Sequence, residues 1–487
     1  MASTATRQFF IASSPKIPTN RPYHGGVAQA CSHDLVEIDQ PVKPHEFDVT
    51  ALLTQLEGSG RTPAVLFKQP TDLEGRPSGF SLLTNLHASR ARCAMMFDVD
   101  PATPNYPLSL AYAAMARRTI APQVIAPAAA PVRECVWQGR DADVARLPIV
   151  RHFEMDLGPT LTMTHVMRSL QGFYDISFAK TFYKWDPQRM VVSIQTRDLN
   201  RMVKEYEERN EPAPIINVLG HHPAFHLGSL AHNKPGTDDY AMVGSFLGEP
   251  LRLTPSVTWG DRFMVPADAE LIIEGEIPPG RREVCDPFGE VPRLYQAQCL
   301  RPVFQVKAIT FRRGAIIQDI FAGFRDSFPL NAISTEASLE NHLRPHFPNL
   351  HQIHLPDSGS GLLSAYISVK DIKPGQAEEI GRMAMVDTPV LHSVIVVDAD
   401  IDVFDEREVL WALHTYPDLA RGVQIYGPKF APHVAYNPNF APTNWGGKVV
   451  IDATRPGDFA FGLRSQVPKV AIERMRLGDY LPRSNHD

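Results

Sequence analysis

Apolar and polar positions change their period along the chain, and the first part alternates between strand-like and helical patterns. Residues 64–68 form a short apolar run, and residues 108–118 are rich in alanine with apolar side chains at helical spacing. Proline recurs from Pro101 to Pro148, a density that fits a connection between domains better than a packed element. The pattern predicts an N-terminal α/β domain over residues 1–130.

The middle third is predicted to consist mainly of strands. Strand-like stretches cover residues 190–195, 215–219, 270–277 and 303–322. The last of these contains residues 312–314 (Arg-Arg-Gly), where we expect the chain to fold back as a hairpin. One helix is predicted from near Asp198 to about Glu208, because apolar residues recur there at helical spacing. We therefore expect a β-rich central domain over residues 131–325.

The last third returns to a mixed pattern. Residues 394–397 and 448–451 have the apolar character of buried strands, and residues 405–414 have the spacing of a helix. This alternation predicts a C-terminal α/β domain over residues 326–487, and an α/β (α+β) fold class for the chain.

Composition narrows the kind of partner. Lys and Arg number 48 against 54 Asp and Glu, and the net charge of −6 comes without long basic runs, which argues against nucleic-acid binding and favours a small-molecule partner. The five cysteines are scattered without a C-x-x-C pair, so we expect a reducing, cytoplasmic location. The most apolar long stretch, residues 108–132, is broken by two arginines and three prolines, so no membrane span is predicted.

Four histidines lie close together after a strand-like segment: His221, His222, His226 and His232. The i, i+4 spacing of His222 and His226 would suit two zinc ligands on one helix face. Pro223 lies between them and favours a loop. Two interpretations stay open here, a metal site or imidazoles that line a pocket or serve the structure.

Carboxylates of the middle third fall at the ends of predicted elements, where loops carry function. They are Asp175, Asp198, Asp238, Asp239, Asp286 and Glu290. Asp198 alone also suits the N-terminal cap of its helix. Three of these oxygen ligands converging on one divalent cation is the testable alternative.

Two segments carry a resemblance to a known family. Residues 265–277 read VPADAELIIEGEI and residues 286–290 read DPFGE, which resembles the signature block of the UbiD family of decarboxylases. Supporting matches are residues 156–159, residues 247–250 after Val243-Gly244, and residues 396–403. The resemblance extends from about Asp34 to Thr454.

The resemblance implies a three-part subunit and a cofactor. The central domain would be a split β-barrel that binds prenylated FMN, with the phosphate held through a divalent metal (Mn or Mg) and potassium. The implied reaction is reversible decarboxylation of an aromatic or α,β-unsaturated carboxylic acid. It also implies a flavin prenyltransferase as cofactor supplier, and a homodimer or larger homo-oligomer formed through the C-terminal domain.

Carried over position by position, the resemblance gives the expected metal ligands. The family's Asn, His and Glu fall on Asp175, Asp198 and Asp239, all oxygen ligands, which keeps a Mn or Mg site but makes it more negative than usual. The cofactor phosphate is expected to bind Ser177, Arg197 and Ser229, since hydroxyl donors and a bidentate cation suit it.

The implied catalytic set departs from the family pattern. Glu290 is retained as the proton donor, whereas Cys285 stands where the first glutamate is expected and Asp286 replaces a glycine. Lys180 stands where the family has Arg, which keeps the cation but loses the planar fork. Two alternatives remain: a flavin-binding relative that has lost decarboxylation or acts as an assembly partner, and a metal-dependent hydrolase that uses residues 221–232.

Overall fold

The structure, a computed structural model, describes residues 34–194, 197–232, 236–285, 287–430, 445–456, 464–476 and 479–480. The α-helices are α1 Asp48–Gly58, α2 Arg90–Met95, α3 Asn105–Met115, α4 Arg197–Glu208, α5 Pro223–Gly228, α6 Asp239–Leu247, α7 Phe328–Leu343, α8 Gln376–Asp387, α9 Glu406–Thr415, α10 Leu419–Gly422 and α11 Lys469–Arg474. The strands are β1 Leu35–Ile38, β2 Ala64–Phe67, β3 Ser81–Thr84, β4 Gln123–Val124, β5 Cys135–Gln138, β6 Thr160–Arg168, β7 Tyr174–Asp186, β8 Arg189–Ser193, β9 Ala213–Val218, β10 Arg252–Ser256, β11 Gly260–Pro266, β12 Leu271–Ile277, β13 Arg282–Cys285, β14 Phe288–Gly289, β15 Tyr295–Gln296, β16 Cys299–Phe311, β17 Ile316–Gln318, β18 Leu350–His354, β19 Ser364–Val369, β20 Ser393–Asp398, β21 Val423–Phe430 and β22 Trp445–Asp452.

The N-terminal part is an α/β unit on a four-stranded sheet of order β1-β2-β3-β17. The strand predicted at residues 64–68 is β2, and the helix predicted at residues 108–118 is α3. The predicted hairpin within residues 303–322 is wrong. Gly314 turns the chain with a positive φ of 69°, but β17 then pairs in parallel with β3 instead of returning along β16. The apolar run over residues 303–322 is long because its first part, β16, packs in the barrel and its second part, β17, packs in the N-terminal sheet.

The central part is a closed barrel of six strands. Its strands follow the order β12-β9-β6-β7-β8-β16, and β12 also pairs with β16, which closes the ring. Closure leaves no free edge within the ring. Strands β5 and β13 pair with β16 outside it, and the helix predicted near Asp198–Glu208 is confirmed as α4.

Alternation along β6 and β7 separates an inner from an outer face of the barrel. The imidazole of His165 on β6 lies 6.4 Å from the aromatic ring of Phe304, which belongs to β16 on the opposite side of the barrel. His165 Nε2 also lies 2.6 Å from Thr181 Oγ1, so the side chains of His165 and Thr181 point into the barrel. Thr164 and Lys180, next to them in sequence, therefore point outward. This outer face is covered by other elements and carries the candidate site.

The C-terminal part is a mixed sheet of order β18-β19-β20-β22-β21, entered through the long helix α7. The predicted strands and helix of the last third are confirmed as β20, β22 and α9. Two separate apolar clusters cover the two faces of this sheet. The N-terminal sheet and the barrel interior instead share one core, which fixes the N-terminal elements against the barrel.

None of the helices described by the structure is long and apolar enough to cross a membrane.

Candidate active site

The outer face of strands β6 and β7 presents two cross-strand pairs, Thr162 with Lys180 and Thr164 with Phe178. His226 of helix α5 lies over the second pair, with its Nδ1 3.3 Å from Thr164 Oγ1 and its ring 6.1 Å from that of Phe178. These five residues are called the β6–β7 face below. The four strand residues point out of the barrel, and helix α5, which carries His226, covers them.

Lys180 is buried at one end of this face. Its Nζ donates a hydrogen bond to the backbone carbonyl of Gly289, the residue before Glu290. The ammonium also lies 5.7 Å from the ring centre of Phe153 and 5.4 Å from that of Phe288. The cation predicted from the sequence is therefore held between two aromatic rings, directly beside the chain segment of the predicted proton donor.

The DPFGE segment packs closely against the Phe153 ring because residue 289 is a glycine. A Cβ at this position would lie 2.3 Å from an atom of the Phe153 ring. Strands β14 and β15 form a short antiparallel pair that carries Glu290 at its turn. The Glu290 side chain is half-buried, and its Oε2 accepts a hydrogen bond from the Val291 backbone N–H at 3.2 Å. Glu290 and Lys180 are thus brought to one region, as the sequence predicts.

Cys285 is buried in an apolar cluster with Phe182, Val191 and Phe288. The same Phe288 ring borders the Lys180 ammonium, so Cys285 and Lys180 both lie close to this ring. Asp286 lies outside the described residues, and its predicted part in the site stays a prediction.

The three predicted metal ligands lie at the other end of β7. Burial, and the charges of Asp239 and Asp198, raise the pKa of Asp175 to about 8, which shows that the three carboxyl groups lie within electrostatic range of one another. Asp239 Oδ2 accepts from the Ile176 backbone N–H at 2.8 Å, and Asp198 pairs with Arg201 at 3.0 Å. Across the described residues, no group of three His, Cys, Asp or Glu side chains has the geometry to hold a metal. The aspartates are therefore neighbours without a preformed coordination shell.

The carboxylates fit a cation chemically. Burial and, after it, two neighbouring charges make ionised Asp175 unfavourable, and a bound divalent ion would compensate these charges. Asp238, next to Asp239, caps helix α6 by accepting from the Tyr240 N–H at 2.9 Å, which explains the paired aspartates of the sequence.

The three predicted phosphate ligands lie in different parts of the structure. Ser177 lies directly across from His165, on the side of β7 opposite Lys180. Ser229 ends helix α5 and donates from Oγ to the His226 carbonyl at 2.7 Å. Arg197 is the first residue of α4, and its side chain lies outside the described part of the structure. Their assignment to a phosphate stays a prediction.

The predicted loop in the histidine cluster is wrong. Pro223 is the first residue of the short helix α5, a position that needs no backbone N–H, and His222 caps this helix by accepting from the Ala224 N–H at 3.2 Å. His222 and His226 therefore do not share a helix face as zinc ligands. Burial lowers the pKa of His221 and of His222 to about 4, so both are neutral near pH 7.

Two features of the site escaped sequence reasoning. His87, after strand β3, lies with its ring 6.5 Å from that of His226, and burial together with Arg92 lowers its pKa to about 3. His152 Nε2 lies 2.7 Å from Asp319 Oδ2, next to the Phe153 that borders Lys180. The position of His87 in a loop after an apolar strand was the only available signal.

Three buried polar atoms on strand β6 and on or beside helix α5 lack a partner among the described residues. Thr162 Oγ1, His221 Nε2 and His226 Nε2 are buried and have no hydrogen-bond partner within the described chain. Buried polar groups without partners are rare, because their desolvation is not compensated. The Phe178 ring lies beside His226, and the rings of Phe153 and Phe288 border Lys180, so this face of the barrel combines polar and aromatic side chains.

The chain matches three domain models of one family. They are the Rift-related domain of 3-octaprenyl-4-hydroxybenzoate carboxy-lyase over residues 123–324, its C-terminal domain over residues 330–453 and its N-terminal domain over residues 31–105. The predicted boundaries at residues 131 and 326 stay predictions.

Solved structures agree. The UbiD-class enzyme HmfF from Pelotomaculum thermopropionicum in complex with FMN is 30% identical with a TM-score of 0.83, over 92% of this chain and 97% of that one. An evolved dimeric form of HmfF in complex with prFMN is 30% identical with a TM-score of 0.80, over the same shares. The vanillic acid decarboxylase of Sedimentibacter hydroxybenzoicus in open form shares the fold at 24% identity and a TM-score of 0.78, over 92% of this chain and 96% of that one.

The matches extend over 92% of this chain, and the signature segments and the closed barrel both lie within the matched part. The chain therefore belongs to the UbiD family and is an enzyme of the carboxy-lyase kind.

Proposed function

We propose that this enzyme catalyses the reversible, non-oxidative decarboxylation of an aromatic or α,β-unsaturated carboxylic acid, with prenylated FMN as cofactor and Glu290 as proton donor. The observation that carries the proposal is the contact of Lys180 with the Gly289 carbonyl, which sets a buried cation beside Glu290. A buried cation next to the chain segment that carries a carboxyl group suits carboxylate binding and proton delivery.

The cofactor is proposed from the relatives, since the HmfF structures contain FMN and prFMN. When bound, the prenylated flavin supplies the sink for the electrons left by the departing carboxyl group. Asp175, Asp198 and Asp239 would hold a divalent Mn or Mg ion, with potassium beside it, and Ser177 and Ser229 would bind the phosphate together with Arg197. The raised pKa of Asp175 supports the cation, because ionisation there needs a compensating charge.

The chain's own groups do three things in this proposal. Lys180 binds and orients the substrate carboxylate, and its burial strengthens that interaction because little water screens it. Phe153 and Phe288 exclude water from the reacting carbon. Glu290 delivers one proton to the carbon that loses the carboxyl group, and Cys285 and Asp286 shape the remaining corner.

The partners are proposed in the same way. We expect a small-molecule acid as substrate, a flavin prenyltransferase as cofactor supplier, and a homodimer or larger homo-oligomer through the C-terminal domain, in the cytoplasm.

The test is coexpression with a flavin prenyltransferase, followed by measurement of CO₂ release from a panel of aromatic and α,β-unsaturated acids. Coloured protein that releases CO₂ supports the proposal, and Lys180→Met serves as a control that should keep the colour and lose the release. Coloured protein that releases no CO₂ from any acid would instead favour a flavin-binding relative without decarboxylase activity.

A further inference from the structure

Asp156 is a buried carboxylate that holds two segments of the candidate site. It lies in the loop before strand β6 and is 1% exposed. Its Oδ1 accepts a hydrogen bond from the Gly289 backbone N–H at 3.2 Å, and its Oδ2 accepts one from the Phe153 backbone N–H at 3.1 Å. One side chain therefore bonds both the DPFGE segment and the residue whose ring borders the Lys180 ammonium.

Gly289 needs such partners because its pairing in the β14–β15 hairpin leaves both of its backbone groups free. Strands β14 and β15 have two residues each, and Gly289 lies opposite Tyr295. The neighbouring Glu290 N–H donates to the Leu294 carbonyl at 3.0 Å, which makes Gly289 and Tyr295 a pair without mutual hydrogen bonds. The N–H and the C=O of Gly289 therefore point away from β15, where a carboxylate and an ammonium satisfy them.

The two charged partners of Gly289 fix the hairpin from outside. Lys180 donates to the Gly289 carbonyl from strand β7 of the barrel, and Asp156 accepts from the Gly289 N–H in the loop before β6. Hydrogen bonds to charged groups are stronger than those between neutral groups. An isolated two-stranded hairpin is marginal in water, so its position depends on these two bonds more than on its own pairing.

Glu290 is the residue directly after this glycine and begins the turn to β15. Its half-buried side chain accepts from the Val291 backbone N–H at 3.2 Å, a bond within the same turn. The turn must therefore be held by contacts outside it. A shift of about 1 Å in a reacting group can cost about 100-fold in rate, so the place of the Glu290 carboxyl group depends on the bonds that hold Gly289.

On the basis of the proposed function, we infer that Asp156 is a positioning residue, which sets the place of the proton donor Glu290 through the Gly289 backbone. The carboxylate of Asp156 is used by two backbone N–H groups, so it acts without touching the reacting carbon. This role is separate from the binding of the substrate carboxylate by Lys180 and from proton delivery by Glu290.

The first measurement needs neither cofactor nor substrate. Hydrogen exchange of a peptide that spans residues 287–296 is followed by mass spectrometry in the flavin-free, full-length protein. Asp156→Ala removes both acceptors and should speed exchange at Gly289 about 10- to 100-fold, because a hydrogen bond to a charged group is lost. Asp156→Asn keeps one acceptor oxygen and should show a smaller change in the same direction.

The second measurement uses protein loaded with prenylated FMN and compared at equal flavin content. Asp156→Ala should lower kcat for CO₂ release about 10- to 100-fold and change KM less than about threefold, since Lys180 keeps its place on β7. Asp156→Ala combined with Glu290→Gln should be no slower than Glu290→Gln alone, because a residue that acts through Glu290 has no effect once the proton donor is gone. A merely structural role would slow both backgrounds alike.

Glu274→Gln is the matched control for Asp156→Asn. Glu274 is also a fully buried carboxylate, and it accepts from the backbone N–H groups of Val257 at 3.1 Å and Thr258 at 2.9 Å, in the turn between β10 and β11. This variant should lower the melting temperature but leave exchange at Gly289, and kcat at equal flavin content, at wild-type values.

The outcomes separate failure of this inference from failure of the proposed function. Unchanged exchange at Gly289 in both Asp156 variants, or a loss of kcat that adds in full to that of Glu290→Gln, would overturn the inference, while CO₂ release by the wild type upholds the proposed function. If Asp156→Ala does not fold, the same comparisons in Asp156→Asn decide. If loaded wild-type protein releases no CO₂ from any acid, the proposed function fails, and faster exchange in the variants then makes Asp156 a structural residue only.

Discussion

Replacing Asp175 by Asn should stabilise the flavin-free and metal-free protein. In the folded chain the pKa of Asp175 is raised from 3.8 to about 8, first by burial and then by the charges of Asp239 and Asp198. The unfolded chain loses this proton near pH 4, whereas the folded chain keeps it until about pH 8. Between these values the folded state binds more protons, so wild-type stability should fall as pH rises.

The magnitude follows from the pKa difference. At pH 7 the gap above 3.8 is about 3 pKa units, or about 4 kcal/mol at 1.36 kcal/mol each, and relaxation with water entry reduces this to about 2 kcal/mol. Asp175→Asn keeps the shape and removes the charge. Its stability gain should be about 2 kcal/mol near pH 7 and should vanish below about pH 4, where Asp175 is protonated in both states.

The assay is denaturant unfolding of wild type and variant across this pH range. The control is Asp186→Asn at the far end of the same strand, where the carboxylate accepts from the Gln188 N–H at 3.0 Å and lies 3.8 Å from Arg189, and this variant should show no such pH-dependent gain. Mn²⁺ with FMN should then stabilise the wild-type protein more than Asp175→Asn. An Asn variant that is equally stable at every pH would refute the claim that the three aspartates form a repulsive group awaiting a cation.

Three further outcomes are expected. Glu290→Gln should keep the flavin but lower turnover about 10²- to 10⁴-fold, measured as CO₂ release, and a wild-type rate would remove Glu290 from the mechanism. Lys180→Met should keep the flavin and lose turnover while Lys180→Arg retains part of it, and loss of flavin in the Met variant would assign Lys180 to the cofactor. Glu336→Gln should lower the free energy of unfolding by about 3 kcal/mol, because it breaks a buried pair with Arg90 at 2.8 Å. Burial acts to raise the pKa of Glu336, but Arg90 and His354 outweigh it and hold it at about 2, so this stabilisation should be lost as pH falls from about 4.5 to 2.

Local patterns in the sequence predicted only part of the helices and strands. The period of residues 198–208 gave α4, and the apolar runs in the last third gave β20 and β22, because these signals depend on neighbouring residues only. The fold-back at Arg312–Gly314 failed for the opposite reason. The partner of β17 is β3, more than two hundred residues earlier, and no local pattern encodes that pairing.

The site divides in the same way. Lys180 and Glu290 were predicted through the resemblance to the family, and the structure places Lys180 Nζ against the carbonyl of Gly289, the residue before Glu290. His87 comes to His226 only through the packing of the N-terminal unit on the barrel, and His152 meets Asp319 across 167 residues of chain. Such contacts arise from tertiary structure, so the sequence alone does not indicate that these side chains are buried next to one another.

The central claim is that a flavin-loaded site between Lys180 and Glu290 removes a carboxyl group and returns a proton to the same carbon. The most direct measurement is decarboxylation in D₂O by protein loaded with prenylated FMN, with the product analysed for deuterium at the carbon that carried the carboxyl group. The account predicts CO₂ release with one deuterium incorporated in wild type, and loss of both in Glu290→Gln at equal flavin content. Loaded wild-type protein that releases no CO₂, or a Glu290→Gln variant that labels the product as fast as wild type, would contradict it.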